Sequence, residues 1–590
     1  MTARSRLLPQ SIRDRAFRAG DGFTLSAAAG GGHAGMLHLD GSRKRAATRS
    51  RSRLTMVMMT IAALYCVIAG RLVYMGFLES SDAVRLALAD PTISARRPDL
   101  VDRNGRVLAT DINTASLYGE PRRIVDVDEA VEQLATVLPD LDLGSAHRRL
   151  SSRAAFVWLR RELTPSQQSQ ILKLGIPGIG FRRETRRFYP NGSTASHLVG
   201  HVNIDNVGIA GFEKMIDDRI LRDLRSAGFG DAVPAEPVEM SIDIRVQSIV
   251  HDELERAMDR YHAIAAGGVV LDVHTGEVLA MASVPDYDSN DPVQALQPDR
   301  LNRMSAGLYE MGSTFKTFTT AMALDSGLVT MHSRFDASKP LRIAGFTIND
   351  FHGKRRVLSV PEIFIYSSNI GTAKMADVVG IEGHREFLHR IGLLDKMEFE
   401  LPETATPVEP AEWKKLNSVT ISYGHGVTTT PLQTAVAGAA LMNGGKLIPP
   451  TLFRRSRADA NLIARAVVKP ETSDMMRYLF RLNVEKGSGK RADVPGYWVG
   501  GKTGTAEKVV KGRYSSDKRF NAFLSAFPID DPQYVVLTII DEPKPEEPGQ
   551  GATAGSNAAV MVSNVIRRAA PVLGVKPQFG EDLRLMSVRY

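Results

Sequence analysis

The sequence has almost no cysteine, and outside its first fifty-odd residues it has no excess of one charge. Cys66 is the only cysteine among 590 residues, so no disulfide can form within the chain. This leaves the compartment open, since secreted proteins can also lack disulfides. Residues 1–53 hold eleven Arg or Lys and three acids, which accounts for the whole formal charge of +8. The rest of the chain is formally neutral, which argues against a nucleic-acid-binding surface on the folded part.

Long apolar runs are absent too, with the exception of residues 54–78, which are apolar apart from Arg71. A helix of this length exceeds a hydrocarbon core of about 30 Å. The basic cluster 43–53 precedes it, which predicts a retained anchor with a cytoplasmic N-terminus and everything after residue 78 outside. A cleaved signal peptide is disfavoured by the long segment before the run. A buried core helix is disfavoured because the run is apolar on every face.

Nothing after residue 78 is apolar enough to predict a second membrane span. The tail 1–53 is rich in Gly, Ala and Ser, which predicts disorder. Residues 79–237 mix short strand and helix patterns, and Asn104-Gly105 between β-formers predicts a tight hairpin turn. The stretch 229–240 carries small residues and two prolines, which is typical of a linker.

A second domain is predicted over residues 238–575, followed by a C-terminal tail at 576–590. An amphipathic helix is expected over 241–258, behind Ser241 or Asp243 as its cap. Apolar strands are expected at both ends of the domain, as a hairpin over 267–283 and as a single strand over 534–541, with helices between and a last helix near 556–570. Strands at both ends with helices between them indicate an α+β fold.

Residues 496–503, GYWVGGKT, match the phosphate-binding loop pattern G-x-x-x-x-G-K-T. Such a loop connects a buried strand to a helix, whereas here a polar segment ending in proline precedes the glycine and no long apolar helix follows. The interior Tyr-Trp-Val is also too bulky for close approach of phosphates. We therefore predict that no nucleotide binds. We predict no metal either, because the histidine pairs 197/201 and 384/389 lack acidic partners at zinc spacing.

Ser313 and Lys316 form the pattern S-x-x-K, directly before an apolar run. At a helix start, residues i and i+3 share a face, so the Lys316 side chain can lie beside the Ser313 hydroxyl. Serine needs an adjacent base to become a nucleophile, and a lysine kept neutral by burial can serve. The pattern recurs at Ser515–Lys518, in a charged stretch without an apolar helix, where we expect only exposed surface.

Two further motifs follow in order, and the set is more specific than any one member. Ser367-Ser368-Asn369 is the only S-x-N in the chain, and Lys502-Thr503-Gly504 is the only K-T-G. A turn at the first would place a hydroxyl and an amide in a cleft. Glycines beside the second suggest a strand that a substrate backbone can approach. The order S-x-x-K, S-x-N, K-T-G is the signature of serine penicillin-recognising enzymes.

On these motifs the segment from about 240 to 575 resembles the transpeptidase domain of class B penicillin-binding proteins. Residues 302–316, 422–445 and 534–541 add to the likeness, and DRNGRVLA at 102–109 and GIAGFE at 208–213 resemble the family's pedestal. The resemblance implies an antiparallel sheet flanked by helices, on an elongated pedestal domain with one N-terminal transmembrane helix. Within the family, the compact pedestal favours the division-specific, FtsI-type enzymes over the elongation type.

The resemblance also implies roles for the motif residues. Ser313 is the nucleophile and Lys316 its base, while Ser367 passes a proton to the leaving group. The oxyanion hole comes from the backbone N–H groups of Ser313 and Thr505. The implied catalytic set is Ser313, Lys316, Ser367, Asn369, Lys502, Thr503 and Gly504, with Thr505 as a further substrate-binding residue.

The implied reaction is cross-linking of peptidoglycan stem peptides that end in D-Ala-D-Ala, at the inner membrane and the division septum. β-Lactams are the implied covalent inhibitors, and no cofactor is needed. Implied partners are divisome membrane proteins and a polymerising glycosyltransferase, without nucleic acid. Four alternatives stay open: an elongation-type transpeptidase, a carboxypeptidase or β-lactamase, a bifunctional enzyme with its own glycosyltransferase, and a non-catalytic β-lactam sensor or scaffold.

Overall fold

The computed structural model describes residues 23–25, 37–39, 56, 58–71, 97–221, 236–510, 512–547 and 551–579. They belong to two compact units, Met1–Ile93 and Ser94–Tyr590. In the first unit, β1 (Phe23–Leu25) and β2 (Leu37–Leu39) pair antiparallel inside the tail for which the sequence predicts disorder.

Of the predicted anchor 54–78, residues 56 and 58–71 are helical. Its other residues lie outside the described part of the chain. Among the described helices, none is both long and apolar enough to cross a membrane. The anchor therefore stays a prediction.

The first sheet of the second unit is built around the long strand β4 (Val107–Gly119). The turn before β4 is the one predicted at Asn104-Gly105, and Gly105 has φ +78°, a conformation that glycine adopts without steric cost. Strand β4 pairs antiparallel with β3, β5 and β6. The elements of this region are β3 (Leu100–Val101), β4 (Val107–Gly119), α1 (Val127–Val137), α2 (Leu143–Leu150), β5 (Val157–Leu163), α3 (Pro165–Leu174), β6 (Ile179–Phe188), α4 (Ser196–Val199), β7 (His201–Val202), β8 (Gly208–Ala210) and α5 (Gly211–Met215).

The predicted linker 229–240 is wrong at its C-terminal end. Residues 229–235 lie outside the described residues, but Val238–Glu239 forms β9, which pairs parallel with β3. Val238 donates its backbone N–H to the Asp99 carbonyl at 2.8 Å, and Met240 is fully buried. Small residues and prolines indicate only the local tendency of the chain. They could not predict β9, because its pairing with β3 depends on residues far away in the sequence.

A buried network of ion pairs joins distant parts of this region. Arg187 donates to Glu213 at 2.7 Å and to Asp111 at 3.1 Å, and all three side chains are fully shielded from solvent. Arg97 donates to Glu213 at 2.7 Å and to Asp217 at 2.7 Å. Buried charges are tolerated only when they are paired, so each arginine is needed to offset the desolvation of its carboxylates.

Replacing Arg187 with Met is expected to lower the free energy of unfolding by about 3–5 kcal/mol, because Glu213 and Asp111 lose a buried partner. Chemical denaturation followed by circular dichroism measures this change. The matched control is Arg160→Met, since the pair of Arg160 with Asp140 is 41% and 58% exposed. The control should change stability by about 1 kcal/mol or less. Equal losses in both variants would contradict the prediction.

The second sheet has five antiparallel strands, in the order β11 (Val278–Val284), β10 (Ala265–Asp272), β20 (Tyr534–Asp541), β19 (Arg513–Phe527) and β18 (Gly500–Val510). Side chains alternate between its faces. Val270 packs in a core with Val250 and Val562, whereas Val269 packs with Leu432 on the other side. This confirms the predicted antiparallel sheet flanked by helices.

The sequence patterns explain the principal elements of this region. Asp243 caps α6 by accepting from the Arg245 backbone N–H, and the predicted hairpin and last strand are β10–β11 and β20. The elements are α6 (Ile244–Tyr261), β10 (Ala265–Asp272), β11 (Val278–Val284), α7 (Lys316–Asp325), β12 (Arg334–Asp336), β13 (Leu341–Ile343), β14 (Phe346–Ile348), β15 (Val357–Ser359), α8 (Val360–Tyr366), α9 (Asn369–Val379), α10 (Ile381–Arg390), α11 (Lys415–Ile421), α12 (Pro431–Met442), β16 (Lys446–Leu447), α13 (Arg457–Ile463), β17 (Arg465–Ala466), α14 (Pro470–Lys486), β18 (Gly500–Val510), β19 (Arg513–Phe527), β20 (Tyr534–Asp541) and α15 (Ala558–Val572).

Candidate active site

Ser313 lies in a short 3-10 turn, Gly312–Phe315, that leads directly into α7 at Lys316. The predicted helix start at S-x-x-K is therefore confirmed. Gly312 has φ +52°, and a Cβ atom there would lie 2.7 Å from the carbonyl oxygen of Thr505. Only glycine fits this position, because it both adopts the conformation and lets β18 approach the turn.

The Lys316 amine donates to Ser367 rather than to Ser313. It lies 2.5 Å from the backbone carbonyl oxygen and 3.1 Å from the hydroxyl of Ser367. Burial lowers the pKa of Lys316 well below its usual value, and the neighbouring positive charge of Lys502 lowers this pKa further. A larger fraction of Lys316 is thus neutral near pH 7, as a base for the nucleophile must be.

Ser367 is placed by a turn between two helices. It ends α8 in the left-handed conformation, with φ +55°, and α9 begins at Asn369. The Asn369 side-chain amide donates to the Asn349 carbonyl at 2.9 Å. The predicted turn at S-x-N is confirmed.

Lys502 reaches the same hydroxyl from the sheet. Its amine donates to Ser367 Oγ at 3.0 Å and to its neighbour's carbonyl, Thr503 O, at 3.2 Å. Burial lowers the pKa of Lys502 to about 7. The Ser367 hydroxyl therefore bridges two buried lysines, one from each of the other motifs. Because Lys502 lies within a strand, it is not at a helix start as in a phosphate-binding loop.

The rest of β18 is held close to the turn that carries Ser313. A Cβ atom on Gly504 would lie 2.0 Å from Thr314 Oγ1, so glycine is required for this approach. Thr503 Oγ1 lies 2.7 Å from Ser488 Oγ, and Thr505 Oγ1 accepts from the Ala554 backbone N–H at 3.1 Å. The three motifs are thus brought together at β18, the last strand of this sheet in the described structure.

Sequence reasoning missed two residues that support the motifs. Asp350 accepts from Ser368 Oγ at 2.7 Å and from the Ile370 backbone N–H at 3.0 Å, which fixes the start of α9. Ser488 orients Thr503 through the bond described above. Aspartate and serine are ordinary loop residues, and only the fold brings them to the motifs.

The second S-x-x-K copy lies elsewhere, on β19. Lys518 pairs with Glu542 at 3.2 Å, and its side chain is 47% exposed. The lysine of this copy, Lys518, is therefore exposed and ion-paired, whereas Lys316 in the first copy is buried. The prediction that this copy lies on the protein surface is confirmed for the side chain of Lys518.

Convergence of the three motifs on one hydroxyl defines a serine acyl-transfer site of the penicillin-recognising class. The penicillin-binding protein transpeptidase domain matches residues 266–566, and the penicillin-binding protein dimerisation domain matches residues 92–220. The chain therefore belongs to the penicillin-binding protein transpeptidases, as a class B, FtsI-type member.

Individual relatives agree with this membership. The probable peptidoglycan D,D-transpeptidase FtsI of Caulobacter vibrioides is 41% identical, over 82% of this chain and 82% of its own length. The probable peptidoglycan D,D-transpeptidase PenA of Neisseria gonorrhoeae is 30% identical, over 90% of this chain and 94% of its own length. The peptidoglycan D,D-transpeptidase FtsI of Escherichia coli K12 is 30% identical, over 80% of this chain and 84% of its own length.

Replacing Asp350 with Ala is expected to slow penicillin acylation of the chain about tenfold, because the turn that holds Ser367 loses its charged cap. Stopped-flow labelling with fluorescent penicillin measures the second-order rate constant. The control is Asp377→Ala, within the helix α9 whose start Asp350 fixes; its carboxylate is exposed and pairs with Lys415 at 2.9 Å. An unchanged rate in Asp350→Ala would show that the turn holds its geometry without this cap.

Proposed function

We propose that the protein is a membrane-anchored serine D,D-transpeptidase that cross-links peptidoglycan stem peptides through an acyl-enzyme. The observation that carries the proposal is the Ser367 hydroxyl, held between the buried amines of Lys316 and Lys502. This arrangement offers a base, a proton relay and an anion-binding cation beside the candidate nucleophile. The names of the relatives support peptidoglycan as the substrate.

In the first step the donor stem peptide binds along β18. Lys502, Thr503 and Thr505 hold its terminal carboxylate, which gives charge-assisted hydrogen bonds. Gly504 lets β18 lie against the turn that carries Ser313, and the Asn369 side chain orients the substrate amide.

Acylation then transfers the donor to the enzyme. Neutral Lys316 removes the proton of the Ser313 hydroxyl, and Oγ attacks the carbonyl between the two D-alanines. The negative charge on the carbonyl oxygen is stabilised by the backbone N–H groups of Ser313 and Thr505. As the C–N bond breaks, Ser367 passes its proton to the nitrogen of the departing D-alanine and takes one back from protonated Lys316, which leaves Lys316 neutral again.

Deacylation reverses these roles. An amine of a neighbouring stem peptide attacks the ester, and Lys316 takes the proton that the amine loses. The C–O bond to Ser313 breaks, Oγ regains a proton, and a new amide joins the two stems. A β-lactam mimics the D-Ala-D-Ala end of the donor. Ser313 opens its strained ring amide and stays acylated.

The domain organisation is part of the proposal. Residues 1–53 form a cytoplasmic tail, 54–78 an inner-membrane anchor, 79–237 an elongated periplasmic pedestal, 238–575 the transpeptidase domain and 576–590 a tail. The apolar run and the preceding basic cluster support the anchor. Divisome membrane proteins and a polymerising glycosyltransferase are the proposed partners, because cross-linking needs a nascent glycan strand.

Incubation of the full chain in detergent with synthetic stem pentapeptides tests the activity. We expect mass spectrometry to detect a cross-linked dimer whose mass shows the loss of one D-alanine. After pretreatment with penicillin we expect no dimer. Hydrolysed tetrapeptide without dimer would indicate a carboxypeptidase or β-lactamase. Penicillin labelling without any turnover would indicate a sensor or scaffold.

The septal role is tested in cells of the source organism. A fluorescently tagged full chain is expected at the division site, with filamentation when the protein is depleted. Distribution along the side wall with loss of cell shape would instead indicate the elongation-type enzyme.

A further inference from the structure

An exposed, positively charged loop that the mechanism does not use lies between β14 and β15. Its residues 351–357 are all exposed, and we call this segment the basic loop. Over residues 339–356 the chain carries five Lys or Arg and one acid, a local excess of four positive charges. The chain after residue 53 is formally neutral as a whole, so this excess is a local feature. Such a concentration of one charge attracts a ligand of the opposite charge.

The basic loop is attached to the wall of the active site that carries S-x-N. The residue two positions before it, Asn349, accepts from the Asn369 side chain at 2.9 Å. Within the loop, the Lys354 ammonium lies 4.7 Å from the centroid of the Tyr366 ring. Tyr366 immediately precedes Ser367, so their Cα atoms are only about 3.8 Å apart. The loop is therefore continuous with the site and does not lie on a remote surface.

Two cations of the basic loop have no partner of opposite charge. Arg356 pairs with Glu362 at 2.7 Å, which offsets its charge. In the part of the chain that the structure describes, Lys354 and Arg355 take part in no ion pair. The aromatic ring under Lys354 holds the ammonium in place but does not neutralise it. Phe351, at the start of the loop, is 74% exposed, and exposed apolar groups with a polar rim are typical of interaction sites.

The reaction itself supplies an anion for this loop. The donor carboxylate is assigned to Lys502, Thr503 and Thr505 on β18. Within the described residues, no hydrogen bond joins the basic loop to β18, whereas the loop adjoins the start of α9. Cross-linking requires a second stem peptide while the donor occupies β18. That acceptor also ends in a carboxylate, so its charge complements the loop.

We propose that Lys354 and Arg355 bind the terminal carboxylate of the acceptor stem peptide. Both side chains form charge-assisted hydrogen bonds with a carboxylate. The contact would hold the acceptor with its amine directed to the acyl group on Ser313. The inference rests on the proposed function and specifies the acceptor class, a peptide with a free terminal carboxylate. The two residues act in acceptor selection and do not touch the reacting atoms.

Two acceptors that differ only in their terminal charge test the proposal. Both are acetyl-lysyl-D-Ala, with either a carboxylate or a carboxamide end, and neither has the D-Ala-D-Ala end that a donor needs. The donor is acetyl-norleucyl-D-Ala-D-Ala, which has no free amine. The full chain receives the donor with both acceptors at equal concentration, and chromatography with mass spectrometry compares the two products. Because both acceptors compete for the same acyl-enzyme, the product ratio does not depend on the rate of acylation.

We expect wild type to prefer the carboxylate acceptor by about twofold to fivefold, the range of an exposed charge pair. The preference should weaken as the salt concentration rises. In the double variant Lys354→Gln, Arg355→Gln the ratio should fall to about one. In Lys354→Glu, Arg355→Glu it should fall below one, an inversion that a structural loss would not produce. The control Lys173→Glu reverses an exposed charge on α3 and should keep the wild-type ratio.

The outcomes separate this inference from the proposed function. No penicillin labelling of wild type, or hydrolysis of the donor without transfer to either acceptor, would overturn the proposed transpeptidase itself. Cross-linking with equal use of both acceptors by wild type would overturn the carboxylate site alone. A wild-type ratio in the double glutamine variant would do the same. An equal fall in Lys173→Glu would also overturn it, because the total charge of the protein would then govern the preference.

Discussion

Fluorescent penicillin is expected to leave the Ser313→Ala variant completely unlabelled under conditions that label wild type to completion. The covalent bond requires an oxygen at this position, at the start of α7 and against β18. Ser367 Oγ accepts hydrogen bonds from both lysines, so it is the neighbouring hydroxyl that any residual labelling would point to first. Gel fluorescence after denaturation measures the loss, and a melting curve confirms that the variant is folded.

The second S-x-x-K copy provides the matched control for this result. Ser515→Ala removes the same atom from the same four-residue pattern, but on a strand whose lysine is exposed. Its labelling should equal that of wild type. Residual covalent labelling of Ser313→Ala, particularly if Ser515→Ala abolished it, would overturn the assignment of the nucleophile.

Replacing Lys316 with Met is expected to slow acylation by about a thousandfold, within the range that general bases contribute. Methionine fills a similar buried space without an amine. Stopped-flow labelling compares the second-order rate constants of the two proteins. The control Lys374→Met removes a partly exposed amine that donates to the Asp336 carbonyl at 2.6 Å, and it should acylate at the wild-type rate.

The pH dependence of acylation gives Lys316 a signature of its own. Only the neutral amine can accept the serine proton, and burial and Lys502 lower its pKa. The wild-type rate should therefore fall as the pH falls through this lowered pKa, because the amine becomes charged. Lys316→Met should lose that decline. If the variant kept the same acid limb, another group would be the base.

The motifs were predictable because their chemistry is local. The spacing of Ser313 and Lys316 specifies one helical turn, and the glycines around Lys502 indicate a strand that tolerates close approach. The sequence did not predict that Lys316 donates to Ser367, because that contact depends on how α7 and α8 pack. Asp350 and Ser488 were missed for the same reason. The end of the predicted linker was wrong because β9 is held by a partner more than a hundred residues earlier.

The buried ion pairs among residues 97–217 restrict where the chain can be shortened. Arg97 is the first residue of the long described segment, yet it neutralises Glu213 and Asp217, which lie more than a hundred positions later. A truncated protein for crystallisation that starts after residue 97 would leave Glu213 paired with Arg187 alone and would remove the guanidinium that pairs with Asp217. Expression boundaries should therefore be chosen upstream of Arg97, even though the transpeptidase motifs lie far beyond it.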